Sequence, residues 1–478
     1  MTEAVKLRWF YFLSACFIAL NTLFMYHELY WMYLTPIVLA IIGLAFLSID
    51  KLFLLCVIVT PLSIDLKEAD IGAALSLPAE PLMIGTMVMF LFKVLAEGTF
   101  DRKVLKHPVS LAIYAYLFWI FITSVTSEIP LISFKFLASK LWFIVPFYFL
   151  GTQVFKKQQN IQWYLWLYIL SLGGVIIYTI ARHAAWGFEQ QPGHWVMTPF
   201  YYDHTQYAAA IAMFVPFLVG YTLVNRHGLF IKILITAVAV LFGAGLLLSY
   251  SRAAWLSVMG ALALFVVLFF RIRWYFIAML MMGGLIFYVT FETEILMRLE
   301  KNKQDSSGKL TEHVQSMSNI STDASNKERL LRWNCALRMF NERPVTGWGP
   351  GTYAFVYAPF QRSYEMTIIS TNFGDVGNAH SEYLGPLSEQ GLPGLLTLLT
   401  VIGITFFTAS RIIFHPDAPG KVKQMAMMLL LGLCTYWIHG FLNNFLDTDK
   451  LSVPFWGFTA ALVALEIQIK TTSEKAAG

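Results

Sequence analysis

Four stretches of this chain carry side chains suited to gripping an anion and moving a proton. They are "LLLSYSRAAW" with Arg252, "TPFYYDHTQYAAAIAMF" with Asp203 and His204, "KERLLRWNCALRMF" with Arg329, Arg332 and Trp333, and "GNAHSEYLGPLSEQGLPG" with His380, Glu382 and Glu389. A guanidinium stays charged when partly buried and presents five donors in a rigid fork that matches phosphate oxygens. A neutral imidazole accepts a proton near neutral pH, which a hydroxyl nucleophile needs from its base, so His380 is the candidate base. Each group also has a quieter use. Arg252, at the boundary of two apolar segments, can snorkel to the interface. Arg329 and Arg332 can be solvated on a helix lying at the bilayer surface, and His380 can be an interfacial histidine. Asp203 and His204 can orient a substrate or bind each other. Neither Glu382 nor Glu389 has a second carboxylate at metal-binding spacing, so they read as ion-pair partners or orienters.

The elements that hold these groups are membrane helices. Of 478 residues 57% are hydrophobic and 13% charged, against about 25% charged in soluble domains. Apolar runs of helix-spanning length recur along the chain, and the short alternating segments of a membrane barrel do not. The expected fold is all-α, a polytopic bundle. Candidate spans are 9–26, 31–47, 50–61, 79–96, 109–125, 131–150, 161–181, 206–224, 229–248, 253–270, 273–290, 384–409, 425–442 and 452–468, which gives 12 to 14 crossings. The third is short enough to be broken or re-entrant. Lys6 and Arg8 precede "WFYFLSACFIALNTLFM" with no small-residue cleavage site after it, so this run reads as the first span. Cys16, Cys56, Cys335 and Cys434 lack metal-ligand spacing and read as small buried hydrophobes. The formal charge of +5 is spread over many loops, with no concentrated basic surface for nucleic acid.

Lys and Arg favour short cytoplasmic loops. With the N-terminus inside, "EGTFDRKVLKH", "GTQVFKKQQN", "VNRHG", "RIR" and "RIIFHPDAPGKVK" all fall on the cytoplasmic side together with the tail "IKTTSEKAAG". Both termini are then cytoplasmic, and His204, Arg252, Arg329 and His380 all reach the opposite face. The chain divides into an N-terminal bundle (1–290), a large outward loop (291–383) and C-terminal helices with the tail (384–478).

Within the outward loop, residues 291–323 are polar, with His313 reading as an exposed histidine. Residues 327–340 read as an amphipathic helix with Leu330, Trp333, Leu337 and Phe340 along one stripe. Pro344 ends it, and Gly347, Gly349 and Gly351 allow tight turns in "ERPVTGWGPGTYAF", which lacks the Gly-Lys-Ser/Thr of a nucleotide loop. These glycines can line a substrate cleft or position the preceding helix, with the second role favoured. Ser381 can cap a helix starting near Glu382, which Gly391 stops or bends.

Three blocks, "SRAAW" at 251–255, "ERLLRWNCALRMFNERPVTGWGPGTY" at 328–353 and "NAHSEYLGPLSEQGLPG" at 378–394, resemble the O-antigen ligase family of membrane glycosyltransferases. That family's wider relatives include O-antigen polymerases and protein O-oligosaccharyltransferases. The resemblance implies a GT-C-like bundle of about twelve spans in the bacterial inner membrane, with a large periplasmic loop. It implies transfer of a glycan from an undecaprenyl-diphosphate carrier to a sugar hydroxyl of lipid A-core, without nucleotide, metal or other cofactor. On the matching positions, the catalytic set is Arg252, Arg329 and His380. Arg332 is an additional substrate-binding candidate, beside Trp333, Glu382, Asp203 and His204. The family block often reads His-Asn where this chain has His380-Ser381, which leaves the acceptor open. Polymerisation of lipid-linked repeats, or transfer to another acceptor, uses the same donor logic. Transport of a lipid-linked glycan also fits a set of spans with outward arginines.

Overall fold

The computed structural model describes residues 3–28, 39, 43, 48–65, 76–98, 100–224, 228–273, 275, 276, 279, 282, 283, 290, 324–366, 370 and 377–477. The expected spans 31–47 and 273–290, and the segment 291–323 with His313, lie largely or wholly outside these residues. The chain forms two units, Met1–Leu55 and Cys56–Gly478. The first holds helix α1 (Glu3–Tyr26), apolar around its circumference, with Trp9, Phe10, Phe12 and Leu13 exposed. An apolar helix exposed on all sides is what a lipid-facing crossing requires.

Helix α2 (Ile49–Val59) leads into the second unit and, at 11 residues, is shorter than the roughly 20 that a crossing needs. Then follow α3 (Ala79–Glu97), α4 (Pro108–Val125), α5 (Pro130–Ile144), α6 (Gln158–Ala184), α7 (His204–Val224), α8 (Leu229–Leu248) and α9 (Arg252–Phe269). Helix α10 (Ala324–Glu342) precedes α11 (Leu384–Phe414), α12 (Gly420–His439) and α13 (Asp449–Ala477). Among the described residues, 10 helices are long and apolar enough to cross a membrane. The expectation of an all-α chain needs one small correction. Ile64–Asp65 pairs antiparallel with Ser76–Leu77 as a two-residue ribbon.

The core of the bundle is α13, buried on every side from Leu451 to Glu466. Its polar start is satisfied by neighbouring chain. Lys450 Nζ donates to the carbonyls of Thr60 (2.7 Å) and Ser63 (2.8 Å), and Tyr168 Oη donates to the Lys450 carbonyl (2.5 Å). Such pairing offsets the cost of a charge away from water.

Two small-residue contacts fix which helix ends meet. Gly220 of α7 faces Met428 of α12, and Gly432 of α12 lies against the Met213 carbonyl and the Phe458 ring, where a Cβ would collide. The pairing 220 with 428 and 213 with 432 makes α7 and α12 antiparallel. Gly260 of α9 lies against Ile438, and Ala261 packs with Leu431 and Cys434, so α9 is antiparallel to α12 as well. Close approach through small residues is a common packing device in membranes. Its consequence here is positional, because the starts of α7 and α9 share one end of the bundle with the finish of α12. His204, Arg252 and His439 therefore stand at the same end.

Candidate functional site

The start of α11 is pinned to that end too. The Glu382 amide donates to the Gly440 carbonyl (2.7 Å), and Tyr383 Oη donates to the Trp437 carbonyl (2.7 Å). Ser381 Oγ accepts from the amides of Tyr383 and Leu384, both at 3.3 Å, and caps a helix that begins at Leu384, two residues after the expected start. Gly391 (φ 70°, ψ −172°) breaks the helical path inside α11, the expected bend.

Helix α10 is docked onto α11 through the glycine loop. The amides of Trp348 and Gly349 donate to the carbonyls of Ser388 (3.2 Å) and Glu389 (2.7 Å). The Glu389 carboxylate accepts from the amides of Gly351 (3.0 Å) and Tyr353 (2.8 Å). Gly347 (φ 64°) and Gly391 (φ 70°) are the close approaches, since a Cβ at either would enter the facing backbone of Glu389 or Val345. The loop's role is thus to lock two segments together, the second of the readings above.

The face that α10 buries differs from the expected stripe. Leu331, Cys335, Ala336 and Met339 form a core with Tyr353, Tyr357 and Ala379, while Leu330 and Leu337 are exposed at 39% and 43%. The reason lies in the partner surface. Arg332 and Glu328 are buried as an ion pair (Nε to Oε1, 2.8 Å), and the guanidinium lies 4.1 Å from the centroid of the Tyr357 ring. These contacts turn the helix so that its polar residues 328 and 332 share the buried side. Arg332 is therefore held in an intramolecular pair, and Gly377 abuts its guanidinium. Burial pushes the Cys335 thiol up to about 11, so it stays protonated.

His380 sits in the hairpin between Gly377 and α11, half-buried, with φ 48°. A left-handed conformation in a residue with a Cβ costs on the order of 1 kcal/mol. Its amide donates to Asn378 Oδ1 (3.0 Å), and its carbonyl accepts from Trp333 Nε1 (3.5 Å), which together hold the turn. Trp333 thus positions the candidate base from α10. Burial, followed by the positive charges of Arg329 and Arg332, pushes the His380 imidazole down to about 4, with Asp203 and Glu328 acting in the opposite direction. The ring is neutral at pH 7.

On the α7 side, Asp203 Oδ1 lies 3.0 Å from His204 Nδ1 and accepts from the Thr205 amide at 2.8 Å. Burial opposes ionisation of Asp203, but the His204 imidazole and both Thr205 donors outweigh it and hold the carboxyl well below the usual carboxylate range. His204 stacks on His194 with ring centroids 4.3 Å apart. Arg252 is the first residue of α9, after the capping Ser251, and half-buried. Glu382 is tied to the scaffold through one carboxylate oxygen. Its Oε1 accepts from Tyr436 Oη (2.5 Å) and from the amides of Phe445 (2.6 Å) and Leu446 (2.8 Å). Expected among the substrate-binding residues, it orders the stretch after α12 through that oxygen.

Arg329, Arg332, His380, Asp203 and Glu328 thus share one electrostatic neighbourhood at the end where Arg252 and His204 begin their helices. Residues 237–399 match the family described as O-antigen ligase. No curated protein matches the chain. The matching stretch takes in most of α8, then α9, α10, the glycine loop and the bent first half of α11. Arg252, Arg329, Arg332, Trp333, His380, Glu382 and Glu389 all lie inside it, whereas Asp203 and His204 lie outside.

One residue of this end escaped the sequence reading. His439 closes α12 and has no exposed surface, and Arg329, Asp203 and His204 are the charged or chargeable groups whose fields reach it. Its signal was an ionisable side chain at the end of an apolar run, a costly placement that marks a site to inspect.

Proposed function

We propose that the chain is an O-antigen ligase, an inverting, multi-pass glycosyltransferase of the bacterial inner membrane with both termini cytoplasmic and its site facing the periplasm. It moves a glycan from undecaprenyl diphosphate to a sugar hydroxyl of lipid A-core. The observation that carries this reading is the match of residues 237–399 to the O-antigen ligase family, with a neutral imidazole, His380, and the Arg329 guanidinium that acts on it both inside that stretch, because transfer from a diphosphate ester needs a base and a cationic site for the leaving group.

In this reading, the carrier diphosphate lies against Arg329 and Arg252. As the bond from the anomeric carbon to the phosphate oxygen breaks, its electron pair goes to the diphosphate, and the guanidiniums stabilise the added charge. The acceptor oxygen attacks from the opposite side and inverts the anomeric centre, while its proton passes to His380. A bound diphosphate also offsets the positive field around His380 and strengthens it as a base when the donor is in place. His204 and Asp203 flank the site, and Trp333 holds the His380 turn.

Purified protein in vesicles, given undecaprenyl-diphosphate-linked glycan and lipid A-core, is expected to yield glycosylated lipid A-core. Longer carrier-linked chains would make it a polymerase, and relocation of donor with no new glycosidic bond would make it a transporter.

A further inference from the structure

The ring of His439 is held on one side and unanswered on the other. Asn443 Nδ2 lies 3.2 Å from its Nε2. An amide nitrogen is a donor, so Nε2 accepts and a neutral ring carries its proton on Nδ1. That Nδ1 is buried and meets no hydrogen-bond partner among the described residues. The ring is not loose, because it lies against Phe445, with centroids 5.9 Å apart and planes at 35°. Asn443 is buried as well. Burying a donor with no acceptor forfeits its hydration, so an orphan of this kind requires an explanation.

Position supplies one. Gly440, the next residue, binds the Glu382 amide, which ties His439 to the same short stretch that carries His380. Arg329 brings positive charge toward the ring, and Asp203 is already engaged by His204 and Thr205. A donor in a mainly cationic surrounding selects an anionic oxygen over a sugar hydroxyl.

We propose that His439 Nδ1–H is a ligand contact, donating a hydrogen bond to a phosphate oxygen of the bound lipid diphosphate. The proposal rests on the reading that the chain acts on a diphosphate-linked glycan, and it adds a residue outside the stretch that matches the ligase family. In ground-state binding, the imidazole transfers no proton. Its tautomer is set by Asn443, which is thus a positioning residue.

The two amide substitutions separate contact from packing. The nitrogen of an asparagine side chain falls near the Nδ1 position of histidine, and that of glutamine near Nε2. Full-length wild type, H439N and H439Q are reconstituted in lipid nanodiscs, and their affinity for glycan-free undecaprenyl diphosphate is measured beside their melting temperatures. H439Q is expected to bind about tenfold or more weakly, as for the loss of a hydrogen bond to a charged group. H439N is expected to recover most of the affinity, with all three proteins melting alike. Wild-type binding matched by H439Q overturns the contact alone. Equal weakening in H439N and H439Q also overturns it, in favour of a packing role. Wild type that fails to bind the diphosphate lipid overturns the proposed function, and the contact with it.

Discussion

Two histidines at opposite ends of the bundle lie in contrasting surroundings. His107, just before α4, is buried with both ring nitrogens engaged. Its Nε2 lies 2.9 Å from Glu466 Oε2, and its Nδ1 accepts from the Val109 amide at 3.2 Å. Glu466 is also paired with Arg411 (3.3 Å) and Lys470 (2.9 Å). One carboxylate there gathers a ring nitrogen and two cations, and the cluster ties α4, α11 and α13 together. At the other end, His380 is held by its backbone, and its ring makes no hydrogen bond among the described residues. Its surroundings are weighted toward positive charge. The same side chain serves as a staple where its ring is saturated by a carboxylate and a backbone amide, and is kept neutral, with a lone pair uncommitted, where nearby cations oppose its protonation.

The largest effect expected from breaking this contrast is at Arg329. R329A should lower transfer by about 10²–10³, the scale for losing one stabiliser of leaving-group charge. R343A, which removes a half-exposed pair with Glu128, should change it by less than about threefold. Comparable losses in the two variants would erase the distinction between site and surface arginines.

Next in size is the scaffold under the site. Gly391→Ala forces a Cβ into the Val345 backbone at φ 70°, so it should destabilise the protein by about 2 kcal/mol or more. A melting curve unchanged from wild type would mean that the glycine loop does not lock α10 to α11. His107→Ala should cost about 1–3 kcal/mol of stability through the buried hydrogen bond lost by Glu466, yet leave turnover per folded molecule unchanged. A turnover loss without a melting shift would contradict its assignment as a staple.

The smallest effect is on pH dependence. With His380 pushed down to about 4, protonation removes the base only in acid, so kcat/KM should hold until the pH falls toward that value. Arg332→Gln removes one of the depressing cations and leaves Glu328, which raises the imidazole. The acid limb should therefore move to higher pH in the rate profile of this variant. An unmoved limb would show that Arg332 does not tune the base.

Much of the frame was legible in sequence because its causes are local. Apolar runs mark α3 to α9, α11 and α13, since lipid imposes a minimum length on any helix that crosses it. Ser381 and Gly391 are readable because a cap hydroxyl and a glycine turn depend on immediate neighbours. The buried face of α10 was misread, as Leu330 and Leu337 fit the helical period while the docking surface, with Tyr357 stacked on Arg332, is supplied by residues beyond the glycine loop. The donors to Glu382 come from Tyr436, Phe445 and Leu446, which no local pattern joins to it. His439 was missed for the same reason. Only the antiparallel packing of α7 and α9 on α12 brings its helix end beside His204 and toward Arg329.

The proposed role of His380 as the base is tested most directly by single-turnover transfer from undecaprenyl-diphosphate-linked glycan to lipid A-core by wild type and H380A, with donor binding recorded on the same preparations. The prediction is that H380A binds donor but forms the new glycosidic bond about 10²–10⁴-fold more slowly. Transfer by purified H380A at the wild-type rate would contradict it.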